Sequence, residues 1–218
     1  MVDKISSWKY AEEFAVESES IVRARMRASE IGVESVTPSV GSHLAVLASA
    51  TSAKAIVEAG TGTGVSGLWL LHGAPGAVLA TIDVEPEHQA AAKLAFTEAE
   101  IKSSQTRVIS GRAIDVMSNM ADGAYDLVFL DADRDTIEEQ LVEAQRLLRV
   151  GGVVAIAHAL WRDRVPDPAM RDEATTIYRD VIKFFSGNKF FATALSPAGD
   201  GLLIASKLTP YVVAVGEL

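Results

Sequence analysis

The sequence predicts a doubly wound α/β domain: a mostly parallel seven-stranded sheet with one antiparallel strand and helices on both faces. Three observations predict it. From Lys54 onward, apolar runs of strand length alternate with segments of helical length. Those runs are apolar throughout rather than at every second residue, as in strands covered on both sides. The first run ends in a turn with glycine at every second position, Gly60-Thr61-Gly62-Thr63-Gly64. Near the end, two strand-like runs are joined by only six residues, Ser196 to Gly201. That is too short for a crossover between parallel strands, so these two run antiparallel.

The elements follow in order. Ile5, Trp8, Ala11, Phe14 and Ala15, then Ile21, Val22 and Met26, recur at helical spacing with charge between them. Two amphipathic helices are expected, ending near Gly32, that dock on the domain or on a partner subunit. Pro38 and Gly41 punctuate a loop, and 44–50 reads as a short helix. Strands are expected at 55–58, 78–83, 106–110, 125–131, 153–157, 190–195 and 202–207. Helices are expected at 66–73, 86–99, 113–120, 136–148 and 169–185, with Pro86 suited to a first helical turn. Residues 1–34 are thus N-terminal helices of the same domain, 35–208 the ligand-binding unit, and 209–218 an apolar tail.

Composition removes several classes. The 29 acidic against 20 basic residues give a net charge of −9, a field that repels phosphate backbones, so no nucleic-acid partner is expected. The absence of cysteine excludes disulfides, thiol catalysis and zinc–thiolate sites. No apolar run reaches the ~18 residues of a membrane span, and Met1-Val2-Asp3-Lys4 lacks the pattern of a signal peptide. A cytoplasmic protein without a membrane partner is expected. The amphipathic N-terminal helices and the apolar tail suggest a homodimer.

The glycine turn carries the chemistry. Glycines allow positive φ and close approach of a ligand, and the helix that follows offers free N–H groups to an anion. Gly62-x-Gly64-x-x-Gly67, with Asp83 further on, satisfies the dinucleotide fingerprint literally. Against that stand Glu58, two residues before the first glycine, where a carboxylate can meet an ammonium, and the strand around Asp126 and Asp131. These favour S-adenosylmethionine over a nicotinamide cofactor.

On those residues the chain resembles the class I S-adenosylmethionine-dependent methyltransferases, which are Rossmann-like. More closely, it resembles bacterial O-methyltransferases akin to catechol and caffeoyl-CoA O-methyltransferases. Glu58-Ala59-Gly60-Thr61-Gly62-Thr63-Gly64-Val65-Ser66 is similar to the family's first motif. Thr81-Ile82-Asp83-Val84-Glu85 matches the acidic end of strand two, Gly111-Arg112-Ala113 the turn after strand three, and Phe129-Leu130-Asp131-Ala132-Asp133 the signature after strand four. The resemblance implies an S-adenosylmethionine site built from Thr37, Glu58, Gly60, Thr61, Gly62, Gly64, Ser66, Asp83, Val84, Arg112, Ala113 and Asp131. Asp83 would hold the ribose diol, Ser66 the carboxylate, and Ala113 the adenine edge. The implied acceptor is a small-molecule hydroxyl.

The family's metal site departs in this sequence. The resembled enzymes bind a divalent cation through an aspartate after strand four and an Asp-Asn pair after strand five, with a lysine as base. Asp131 fills the first position, but the pair falls at Ala157-His158 and the lysine position holds Arg134. Alanine cannot ligate, histidine is a poor Mg²⁺ ligand, and arginine keeps its proton. The pattern argues against a divalent metal, with Asp131 the one ligand if any is bound. Asp131 and His158 are the catalytic candidates, His158 being either the base or an inert strand-end residue. Two alternatives stay open: an NAD-type oxidoreductase and a non-catalytic S-adenosylmethionine-binding protein. His43, His72 and His88 are expected on helices or their ends, without a chemical role.

Overall fold

The computed structural model describes residues 4–210; the expected tail falls almost wholly outside them. Seven strands are present: β1 (Ala55–Ala59), β2 (Val78–Asp83), β3 (Thr106–Ser110), β4 (Tyr125–Leu130), β5 (Leu148–Ile156), β6 (Phe191–Ser196) and β7 (Leu202–Lys207). They form one sheet in the order β3-β2-β1-β4-β5-β7-β6. β7 runs antiparallel to both its neighbours while β1–β5 pair in parallel, so it is the single reversed strand. The reversed β7, rather than a sixth parallel strand, pairs with β5, so the sheet departs from the all-parallel order of the dinucleotide fold.

Among the described residues, eight α-helices accompany the sheet: α1 (Lys4–Glu12), α2 (Glu19–Glu30), α3 (Pro38–Ala50), α4 (Val65–Gly73), α5 (Pro86–Glu98), α6 (Ala113–Met117), α7 (Ile137–Leu147) and α8 (Glu173–Phe185). Successive strand side chains point to opposite faces, and the core divides accordingly. Ile56, Leu79, Leu127 and Phe129 pack with α2–α5 on one face. Val57, Ile82, Val128 and Leu130 pack with α7 and α8 on the other. The N-terminal segment shares this core, since Ile21, Ala24 and Ala28 of α2 are buried.

Several boundaries differ from expectation, each for a local reason. α3 begins at Pro38, with the Thr37 hydroxyl capping it through the Val40 amide. Gly41 is no loop residue: a Cβ there would overlap the Trp69 ring, so glycine lets α3 and α4 touch. β5 starts at Leu148 because Gly151 and Gly152 pass through an irregularity in its pairing with β4. α8 starts at Glu173, where Asp172 accepts the Thr175 amide, and α6 stops at Met117.

The carboxyl ends of β1, β2, β4 and β5 open on one side of the sheet. There the Gly60 amide donates to the Ile82 carbonyl and the Asp131 amide to the Ala59 carbonyl, both at 2.9 Å. The first glycine is thereby locked between β2 and β4.

Candidate active site

A cleft of about 600 Å³ runs across these strand ends. Its floor is the glycine turn. Gly60, Gly62 and Gly64 have φ of 93°, 48° and 89°, the left-handed region that glycine enters freely. A Cβ at Gly60 would overlap the Asp131 carbonyl oxygen. Beyond the turn, Val65 and Ser66 open α4 and line the cleft, presenting the helix's unpaired amides and its positive dipole end.

Asp83 stands at the end of β2. Its Oδ2 accepts the Gly62 amide at 3.0 Å and its Oδ1 the Glu85 amide at 2.9 Å. His88 Nδ1 lies 3.3 Å from the same carboxylate. A carboxylate carries about four acceptor positions, so both oxygens retain capacity toward the cleft. Arg112 and Ala113, at the start of α6, form the adjoining wall together with Val84.

Glu58 lies elsewhere than a direct contact would need. It is fully buried beneath the turn and does not line the cleft. Its Oε2 accepts the Thr81 hydroxyl at 2.6 Å. Since Thr81 gives its proton there, Thr61, 2.7 Å away, donates to Thr81. Glu58 Oε1 has no partner. Burial pushes this carboxyl up to about 7, against the lowering effect of the Ser66 and Thr81 hydroxyls.

At the opposite end, His158 follows β5 with φ of 57°. A non-glycine residue stays in that region only where its surroundings impose it. Here the Ala159 amide donates to the Gly201 carbonyl, the Leu160 amide to the Asp200 carbonyl at 2.9 Å, and the Trp161 amide to the His158 carbonyl at 2.8 Å. The imidazole stands between two carboxylates, with Nε2 3.3 Å from Asp131 and Nδ1 3.2 Å from Asp200. The hydrogen bond and charge of Asp131, then those of Asp200, raise its pKa to about 9 against the opposing effect of burial. At neutral pH both ring nitrogens therefore donate. Trp161 meets the imidazole edge-on at 6.5 Å and stacks on buried Tyr178 at 5.3 Å. The Arg134 and Arg162 guanidiniums lie 5.3 and 5.7 Å from the Trp161 ring centre. Tyr178 is pushed upward by burial and by the Asp131 and Asp200 charges.

These side chains do not make the oxygen-rich cage that Mg²⁺ requires. Asp131 and Asp200 face opposite nitrogens of one ring, so a single cation cannot reach both carboxylates and His158. Ala157 presents only a methyl group. Among the described residues, no three His, Asp or Glu side chains are grouped to hold a metal.

The cleft brings together Gly60, Thr61, Gly62, Ser66, Asp83, Val84, Arg112, Ala113, Asp131 and His158. Thr37, Glu58 and Gly64 lie outside its lining: Thr37 caps α3, Glu58 braces the turn from below, and Gly64 starts α4. Sequence reasoning set His88 aside as a helix residue without a chemical role and did not single out Tyr178 or Asp200. His88 sits in the first turn of α5, five residues past Asp83, and Asp200 stands between two glycines in a tight turn, which are the local signals. Tyr178 gives none.

The family described as O-methyltransferase matches residues 11–209. A Mycobacterium ulcerans protein named "Putative O-methyltransferase" is 49% identical over 195 residues, covering 88% of this chain and 87% of that one. A Corynebacterium glutamicum protein of known structure superposes with a TM-score of 0.86 at 29% identity, covering 96% and 99% of the two chains. The Streptomyces achromogenes O-methyltransferase TomG, solved in complex with S-adenosylmethionine, has a TM-score of 0.81 at 24% identity, covering 95% and 100%. At that identity it speaks for the fold alone.

Proposed function

The chain belongs to the O-methyltransferase family, and on that premise we propose that it methylates a hydroxyl of a small molecule from S-adenosylmethionine, with His158 as base and no divalent cation. The observation that carries this reading is one continuous cleft with Asp83 at one end and the Asp131–His158–Asp200 chain at the other.

S-adenosylmethionine, when bound, supplies an electrophilic methyl group on a sulfonium. Asp83 is placed to accept from a ribose diol, and the Ser66 hydroxyl with the first amides of α4 to hold a carboxylate. Arg112 and Ala113 suit an adenine edge. Asp131 is the carboxylate nearest the reacting end. Glu58 acts indirectly, holding Thr81 and Thr61 under the turn.

The acceptor hydroxyl must give up its proton as its oxygen bonds to carbon, and a histidine is suited to receive it. In the resting site His158 is protonated. A cationic ligand placed against Asp131 competes for that carboxylate and lowers the pKa of His158, freeing Nε2. Asp200 on Nδ1 then fixes the tautomer, as the third member of a base–carboxylate pair does. Trp161 and Tyr178 form an aromatic wall beside the base. Metal independence is supported by the same geometry, because Asp131 is paired with an imidazole and Ala157 offers no ligand atom.

The test combines binding with turnover. S-adenosylhomocysteine at about 100 times its dissociation constant should stabilise the fold by about 2.7 kcal/mol, a rise in Tm of roughly 5–10 °C for a chain of this size; NAD should give none. Transfer of labelled methyl to a panel of phenols and alcohols should persist in excess chelator. Loss of turnover on chelation, restored by Mg²⁺, would refute the metal-free mechanism. We also propose a cytoplasmic homodimer; the dimer is supported by exposed Ile5, Tyr10, Phe14, Val22 and Met26 along α1, α2 and their connection. Sedimentation velocity checks the dimer.

A further inference from the structure

α1 lies largely exposed on the surface, yet two of its side chains reach the same short turn. Trp8 Nε1 donates to the Pro197 carbonyl at 3.1 Å, and Glu12 Oε1 accepts the Gly199 amide at 2.7 Å. The next residue is Asp200. Its Oδ2 meets His158 Nδ1 at 3.2 Å, and its Oδ1 accepts the Arg162 amide at 2.5 Å. On the far side the turn has no slack, since a Cβ at Gly201 would overlap Leu160. On the near side it is held by α1, by Val40 packed against Gly199, and by the Gly201 amide bonded to the Ala198 carbonyl at 3.0 Å. A cavity of about 440 Å³ bordered by Ile5, Trp8, Leu160, Asp163, Pro197 and Asp200 adjoins the carboxylate. Asp200 therefore has room to leave His158 if the turn relaxes.

We propose that α1 positions the base: by pinning Pro197 and Gly199, Trp8 and Glu12 keep the Asp200 carboxylate on His158 Nδ1. This deepens the function above and rests on His158 being the base. Neither Trp8 nor Glu12 lines the catalytic cleft, so both are positioning residues acting through Asp200. A carboxylate that orients an imidazole contributes only while its own position is fixed, which is why support behind such a pair affects rate without touching ligand.

The groups facing the His158 ring are Asp131 from the end of β4 and Asp200 from the turn. Tyr178 of α8 shares their charges, and Arg134 and Arg162 lie over Trp161. Of these, only Asp200 is tied to α1. Asp200 raises the pKa of His158, so loosening it must move the His158 titration to lower pH.

The experiment compares Trp8→Phe/Glu12→Leu with Glu12→Gln, which keeps an acceptor for the Gly199 amide. It follows the imidazole nitrogens of His158 by NMR against pH, together with S-adenosylhomocysteine affinity and acceptor kcat/KM. The double variant should titrate at lower pH, keep its affinity for S-adenosylhomocysteine within twofold, and lose about tenfold in kcat/KM through misalignment of the base. Glu12→Gln should behave as the parent. In an Asp200→Asn background the double variant should add no further change. An unmoved titration, or effects that add to those of Asp200→Asn, would overturn the proposal and leave α1 as packing only. If no acceptor is methylated, the base assignment fails while the titration and its non-additivity still decide the role of α1. Trp8→Phe alone carries the same titration test if the double variant does not fold.

Discussion

His158 occupies a backbone conformation that histidine adopts rarely, with φ of 57°, and its ring bridges carboxylates from two different parts of the chain. Both features indicate a site held in place by its surroundings. If the ring is the base, acceptor kcat/KM should rise with pH and level off only well above 6.5, because the free enzyme's His158 loses its proton near 9. Asp200→Asn removes one of the raising charges, so the rising limb should move to lower pH while the plateau drops. His158→Ala should lower kcat by ~10²-fold or more with little change in cofactor affinity. A flat pH profile across 6–10, measured with donor well below saturation so that the free enzyme's titration is read, would be inconsistent with this assignment. Asp83 gives the complementary prediction. Asp83→Ala should weaken S-adenosylhomocysteine binding by ~1–3 kcal/mol, as when a buried polar partner is deleted, and calorimetry reads it directly. Asp131 and His158 were legible in the sequence because they fall at strand ends. Asp200 was not, because its partner lies 42 positions away in the chain and only the reversed strand brings the two together.

At the scale of elements, the glycine turn is fixed by steric exclusion as much as by backbone freedom. Gly60 has φ of 93°, and a Cβ there would overlap the backbone of Asp131. Gly32, at the end of α2, has φ of 73° with open space around it. Gly32→Ala should therefore cost only the ~1–2 kcal/mol of a left-handed alanine. Gly60→Ala adds a backbone collision between β1 and β4 and should cost more than ~4 kcal/mol or prevent folding. Chemical denaturation of the two variants separates the explanations, since equal losses would mean that φ alone matters. The same distinction explains what the sequence revealed about the elements. Strands β2, β3 and β7 lie where their apolar runs predict, because those runs are bounded by charge or glycine. α3 was misread because Gly41 serves contact with Trp69 rather than a turn, and β5 because Gly151 and Gly152 sit inside the strand. Glycine that breaks a pattern and glycine that allows close packing look alike in one dimension.

For the whole molecule, the raised Glu58 and His158 give stability a definite pH dependence around neutrality. Glu58 moves from 4.5 unfolded to about 7 folded. The folded chain holds that proton more tightly, so the contribution is complete below pH 4.5 and is lost as pH rises through 7. His158 moves from 6.5 to about 9, and its contribution is complete below pH 6.5 and is lost as pH rises through 9. The net charge of −9 acts in the same direction, since self-repulsion grows as further protons leave. On the acid side the order reverses. Asp172, held low by the Thr175 hydroxyl and amide, and Asp126, held low by backbone amides and Arg149 despite its partial burial, lose their stabilising effect as they protonate. The unfolding free energy should therefore peak at about pH 4–5 and fall steadily toward pH 9. Glu58→Gln isolates one component. It keeps a side chain able to accept the Thr81 hydroxyl but cannot ionise, so its stability relative to the parent should improve by up to ~3 kcal/mol between pH 5 and pH 8. Guanidinium titrations of both proteins at pH 5, 6.5, 8 and 9 measure the difference. Parallel curves would mean that Glu58 keeps one protonation state throughout, and the buried unpartnered oxygen under the glycine turn would then need a different explanation.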